Sequence, residues 1–295
     1  MRTQSPARPN PPLAVILMLT ATAFIAGTML AAKMLGTPAL GDALHPLQVT
    51  HGRFVFAFLA LGAAALVMRP TFRRPHWALH VGRTLSGFVG VSCMFAAVAY
   101  IPLSDATAIS FLNPVFGMFF AIILLGERVG RWRWIAAVMA LTGAIILLRP
   151  GAGTVQLGAL LALAAALVLG FELILIKLLS GREPPFQILL TNNMLGVIVS
   201  SLAVVPFWVM PTLPQWIGLA ALGVLMAGAQ TCFVNAMARA DASFVTPFSY
   251  LTLVFAALYD LVIFSVWPDW VSWLGAGVIL AGAALLAWRE GRARR

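Results

Sequence analysis

Charged residues are scarce in this chain, 9% of 295 positions with only nine Asp and Glu, where a soluble domain carries about 25%. That scarcity excludes a solvated globular domain of ordinary composition. No polar stretch is long enough to fold alone, since the longest, MRTQSPARPNPP at the N-terminus, is short and proline-rich. Cysteine is nearly missing too. Cys93 and Cys232 both fall in apolar runs, and two cysteines set no disulfide framework. The four histidines and the few acids show neither metal-site spacing nor paired carboxylates, which argues against an intramembrane enzyme. No Gly-x-x-x-x-Gly-Lys-[Ser/Thr] loop is present to cradle phosphates, which excludes a nucleotide-fuelled pump. The apolar run from Leu13 has no clear small-residue cleavage site and is followed by Lys33. It reads as a membrane span, not a cleaved signal.

What the chain does have is apolar sequence, 61% of its residues at a mean hydropathy of +0.97. About 20 apolar residues cross a bilayer as a helix. On that ruler the sequence predicts ten spans, at 13–35, 46–68, 77–99, 105–125, 132–149, 155–179, 186–208, 215–238, 242–264 and 270–288. The loops between them are short, so neighbouring helices are antiparallel.

Lys and Arg set the orientation. Of nineteen, Lys33 and Arg149 fall on one side and Arg53 and Arg83 within spans. The other fifteen gather at the opposite side, with both termini. Positive charge stays inside, so both termini are expected in the cytoplasm of an inner-membrane protein. The net charge of +10 is thereby absorbed as a topology signal and gives no reason to invoke nucleic acid.

The second half of the chain echoes the first. PLSDATAISFLNPVFGMFFAIILLGERVGRWRWIAAVMALTG (Pro102–Gly143) and RADASFVTPFSYLTLVFAALYDLVIFSVWPDWVSWLGAGVILAG (Arg239–Gly282) share one plan. Each has an Asp at a helix start (Asp105, Asp241), a proline-containing apolar helix, a break with tryptophan, and a small-residue helix ending in Gly. PLQ (Pro46–Gln48) also resembles PFQ (Pro185–Gln187), and Lys33 and Lys177 stand near the ends of the halves' first helices. Five spans per half is an odd number, so the second copy enters the bilayer from the other side. The expected fold is an all-α integral membrane protein of ten helices in two inverted five-helix repeats, 13–149 and 155–288. A cytoplasmic N-terminal tail (1–12) and a basic tail (289–295) flank them. Such an arrangement suits a device that opens alternately to either face.

The motifs carry a family resemblance. AISFLNPVFGMFFAIILLGER (Ala108–Arg128), with Gly126-Glu127 closing it, resembles the fourth span of the drug/metabolite transporter superfamily in its ten-span EamA-type branch. WIAAVMALTGAIIL (Trp134–Leu147) and WLGAGVILAGAALL (Trp273–Leu286) are similar to its fifth and tenth spans, and Arg53-Phe54 to its second. In the second copy Val266 stands in the place of Glu127, a departure from the pattern. The resemblance implies a secondary carrier of small metabolites. Within the branch the chain looks most similar to YddG-type exporters of aromatic and neutral amino acids.

A charge near the bilayer centre must face a cavity or a partner, which singles out a few side chains. Glu172 is a candidate for titrating a proton or binding an ammonium, or else an ion pair with Lys177 or an Arg of another helix. Arg83, and after it Arg53, are candidates to clamp a carboxylate with parallel hydrogen bonds, or to pin backbone carbonyls. Asp260, near the outer end of the ninth span, reads as a gate or, more simply, a water-exposed interfacial carboxylate. His51 and His80 read as interfacial anchors. Asn113, Gln230, Asn235 and Tyr250 supply neutral donors and acceptors for a substrate, and Tyr100 is a candidate for an apolar wall. Asn113-Pro114 and Thr246-Pro247 interrupt the fourth and ninth spans, and paired interruptions point to a transporter's site; a plain packing kink is the alternative. The small residues of the fifth and tenth spans, including Gly143 and Gly275, permit close helix approach, as a brace within the monomer or as a dimer face.

Together these readings predict a carrier moving amino acids out across the inner membrane by alternating access. A cation or multidrug exporter is the alternative. The expected partners are the small-molecule substrate and the lipid bilayer, with the chain a monomer or homodimer and no cofactor.

Overall fold

The computed structural model describes residues 10–126, 131–148, 156–180, 182–237, 239 and 251–293. Apolar runs become helices throughout: α1 (Pro11–Leu35), α2 (Pro46–Met68), α3 (Trp77–Tyr100), α4 (Leu103–Ser110), α5 (Asn113–Leu125), α6 (Arg131–Leu148), α7 (Leu157–Ser180), α8 (Pro185–Val204), α9 (Leu213–Met237), α10 (Leu251–Phe264) and α11 (Trp270–Ala293). No strand occurs among the described residues. Seven stretches are long and apolar enough to cross a membrane. Three shorter apolar helices, Ala137–Leu147, Leu251–Phe264 and Trp270–Gly282, stand at the expected fifth, ninth and tenth spans.

Local chemistry explains the boundaries. Pro11, Pro46 and Pro185 sit at helix starts, where a missing N–H costs nothing. Asn10 caps α1 by accepting the Leu13 N–H at 3.1 Å. Gly126 closes α5 in the left-handed region at φ 64°, where glycine meets no Cβ penalty.

One expected helix start needs correction here, and another lies outside the described residues. The fourth span is not one helix starting at Asp105. It starts at Leu103, with Asp105 inside the first turn. It then breaks at Phe111–Leu112 before resuming at Asn113. The physical cause is Pro114, which has no N–H to give the Ser110 carbonyl. The chain tightens there into three-residue bonds, Phe111 N to Ala108 O and Leu112 N to Ile109 O. The expected start of the ninth span, with Asp241, Thr246, Pro247 and Tyr250, lies outside the described residues.

The packing crosses between the halves of the chain. α1 lies on α9, and α3 on α7; α1 also meets α10, as α7 meets α5. α2 packs on α8, and α6 on α11. At the α6–α11 crossing a Cβ on Gly143 would lie 2.6 Å from the Gly275 carbonyl oxygen, and one on Gly275 2.9 Å from that of Gly143. The small residues therefore serve as a brace within the chain. The interior is an apolar core that also buries Gln48, Thr50, Arg53, His80, Arg83, Asn193 and Asp260, while Leu66, Val67 and Ile123 are largely exposed. An extensive exposed apolar surface suits a lipid surround.

Candidate functional site

The interior charges gather where α2, α3, α7 and α8 meet. Arg83 of α3 points at Glu172 of α7, with Nε 3.4 Å from Oε1, an ion pair without the alignment of a hydrogen bond. Its Nη1 donates to the Ile188 carbonyl of α8 at 2.9 Å. Gly87 makes the room, since a Cβ there would sit 3.1 Å from the Glu172 carboxylate. Arg53 of α2 lies close enough to feel both charges and rests over the Phe54 ring at 4.4 Å. It is 5% exposed, and its Nε and Nη1 have no hydrogen-bond partner. Thr84 donates to Asn192 Oδ1 (3.1 Å), and Ser92 to Thr50 Oγ1 (3.1 Å). Buried acceptors Asn193 Oδ1 and Gln230 Oε1 are also without partners.

Of the two readings of Glu172, the ion pair is what the geometry contains, and the partner is Arg83. Lys177 is exposed. The α4–α5 break packs on another face of α7, where the Asn113 carbonyl lies against Gly170, because residues two apart on a helix, such as Gly170 and Glu172, do not share a face. Asn235, by contrast, stands near the end of α9, where it donates to Thr231 O and accepts from Arg239 Nη1 at 2.7 Å. Tyr100 is 65% exposed at the end of α3. Neither is brought to the charged cluster.

Asp260 is not the water-exposed carboxylate expected. It is fully buried, paired to Lys33 of α1 at 3.1 Å, and accepts from Ser104 N (2.9 Å) and Oγ (3.1 Å). The short α10 tucks it under α4, and Lys33 neutralises it there. His80 is likewise no interfacial anchor. It is buried, with Nε2 2.8 Å from Glu183 Oε2, while His51 Nδ1 lies 3.1 Å from Ser200 Oγ.

Glu183 escaped the sequence reading, because a carboxylate in a short loop looks solvated. In the fold it is buried and accepts from His76 N (2.7 Å) and Gln187 Nε2 (2.7 Å), and contacts His76 Nδ1 (3.0 Å) and His80 Nε2. Burial alone would raise its pKa. The hydrogen bonds from His80 and His76 outweigh that and hold the pKa below the ordinary carboxylate value. Among the described residues no group of His, Cys, Asp and Glu is arranged to hold a metal ion.

The chain is similar to several curated transporters. It is 30% identical over 78% of both chains to a riboflavin transporter of Vibrio cholerae. It is 33% identical to one of Rhizobium johnstonii, covering 82% of this chain and 81% of that one. An S-adenosylmethionine uptake transporter of Rickettsia bellii is 27% identical over 86% and 88%. A solved crystal structure superposes with a TM-score of 0.67 at 22% identity, covering 97% of this chain and all of its own, a likeness of fold alone. The family profile described as the EamA-like transporter family matches twice, at residues 12–149 and 156–288. The chain is a multi-pass membrane transporter and belongs to that family.

Proposed function

We propose that this transporter is a secondary carrier of ten spans, built from two inverted five-helix repeats that expose a shared site alternately to the two sides of the inner membrane. Exchanging the halves leaves the packing pattern unchanged: the first helix of each half lies on the third of the other, second on second, fifth on fifth. That exchange, with one family match per half, supports a pseudo-twofold axis in the membrane plane. The bias of Lys and Arg supports cytoplasmic termini.

The observation that carries the reading is Arg53. Two buried guanidinium nitrogens without acceptors are costly in a dry interior, and a substrate oxygen would satisfy them. Arg53 keeps spare donors, and Asn193, on the α8 that packs against α2, a spare acceptor. A flat heterocycle with an imide edge, such as riboflavin, presents oxygens to the first and an N–H to the second, and two similar chains carry that name. Riboflavin is therefore the substrate to test first. A neutral amino acid is the second reading, favoured by Arg53, which matches a carboxylate, and by the unpaired acceptor on Asn193, which matches an ammonium. The cation-exporter reading loses support because Glu172 is already paired with Arg83. Direction follows the substrate gradient in a passive carrier; the similar chains include both an uptake transporter and, at 26% identity over 69% and 72%, a pseudopaline exporter of Pseudomonas aeruginosa.

The test is flux in proteoliposomes, with labelled riboflavin and labelled neutral amino acids, with and without a pH gradient. Saturable riboflavin flux lost in Arg53→Gln is the expected result. Flux of amino acids alone selects the second reading, and flux of neither removes both.

A further inference from the structure

The structure carries one motif twice, at opposite ends of the bundle. Gln48 is the third residue of α2, after Pro46, and Gln187 the third residue of α8, after Pro185. Both are buried. Gln48 donates from Nε2 to the Val209 carbonyl (2.5 Å) and accepts the Val209 N–H at Oε1 (3.2 Å). Gln187 donates from Nε2 to the Arg73 carbonyl (2.9 Å) and accepts the Arg73 N–H at Oε1 (2.7 Å). Val209 is the fifth residue past α8 and Arg73 the fifth past α2. Each glutamine thus grips the loop between the second and third helices of the opposite half, and exchanging the halves turns one clamp into the other.

Each clamp has its own reinforcement. Beside Gln48, the His45 and Phe207 rings stack at 4.0 Å, and Gln215 joins the Asp42 carbonyl (2.7 Å) to the Thr212 N–H (2.9 Å). Beside Gln187, Glu183 gathers His76, His80 and the Gln187 amide. Both clamps join one half to the other, so relative motion of the halves must break them. A primary amide pairing with both groups of one peptide residue is easily remade, since no net charge must be dehydrated.

We propose that Gln48 and Gln187 are the two alternating gates of the carrier, Gln48 closing the external side and Gln187 the cytoplasmic side; both are held here, and transport releases one at a time. This rests on the alternating-access reading and names its working residues. Removing one clamp shifts the balance toward opening at that end, because the other is untouched.

The test uses the full chain with Cys93→Ala and Cys232→Ala, and a single reporter at a position buried here. Thr50→Cys stands on the first turns of α2 near Gln48, and Thr84→Cys on the early turns of α3 near the Gln187 end. A membrane-impermeant maleimide is applied to right-side-out and inverted vesicles. Gln48→Leu is expected to raise labelling of Thr50→Cys from outside about tenfold and lower that of Thr84→Cys from inside. Gln187→Leu is expected to do the reverse. Gln→Asn at either site, one methylene too short to reach, carries the same signs and serves if a leucine variant fails to fold. Shifts of the same sign, or lost thermal stability with unchanged labelling, overturn the proposal and make the clamps static staples. Flux that persists while the clamps prove inert sinks only this inference. A parent protein with no flux and substrate-independent labelling sinks the carrier reading beneath it.

Discussion

Arg83 and Glu172 show what a buried charge demands of its neighbours. Each is held by the other, and Arg83 is further held by the Ile188 carbonyl. Arg83→Leu leaves Glu172 without its partner, and breaking such a pair costs about 3–5 kcal/mol. The expected outcome is a large drop in unfolding temperature in detergent, mostly recovered when Glu172→Leu is added. Glu183 gives a pH signature. Its pKa is lowered, so its contribution to stability is complete above the ordinary carboxylate value of about 4.5 and is lost as the pH falls through the lowered pKa. The stability gap between the parent and Glu183→Gln should therefore be flat from neutral pH down to about 5 and close on further acidification, as thermal unfolding across pH will read. A gap that widened on acidification would contradict that sign.

The α4–α5 break and the α6–α11 crossing make opposite demands on a helix. The break gives up a backbone hydrogen bond at Ser110 and sets the Asn113 carbonyl against Gly170 of α7. Pro114→Ala restores the missing N–H, and its expected effect is equal or greater thermal stability with slower transport. The crossing needs backbones in contact. Gly143→Leu places a side chain where even a Cβ meets the Gly275 carbonyl at 2.6 Å. Overpacking of this kind costs about 1–3 kcal/mol. Lower thermal stability with little change in substrate affinity is expected, since Arg53, Arg83 and Glu172 stand on other helices.

Over the whole molecule, polar contacts join the halves at both ends of the bundle and, through Arg83, Glu172, Thr84 and Asn192, at its middle. Gln48, Gln215 and the Lys33–Asp260–Ser104 set tie one end, and Gln187 with Glu183 and the histidines tie the other. The charged trio Arg53, Arg83 and Glu172 lies between. With both ends tied, a substrate must wait for one to release. The topology assigned from Lys and Arg places Arg295 in the cytoplasm, so a reporter fused after it is expected to be active only on that side. A periplasmic signal would reverse the assignment of both clamps.

The helices were legible because lipid imposes one rule on a spanning chain: apolar residues outward, about 20 per crossing, with backbone groups satisfied inside the helix. That rule needs no knowledge of neighbours, and it placed the seven long apolar helices within a few residues and flagged the interruption at Asn113-Pro114. The PLQ and PFQ likeness was visible as well, but not its meaning, because hydrogen bonds to Val209 and Arg73 join residues far apart in the chain. The partner of a buried charge is set the same way. Glu172 had Lys177 one helical turn away and took Arg83 from another helix, while Asp260, expected in water, was covered and neutralised by Lys33. Sequence alone determined which runs form the long apolar helices. Tertiary structure decided which of them meet, because in a low-dielectric interior the choice of partner is made by packing across helices.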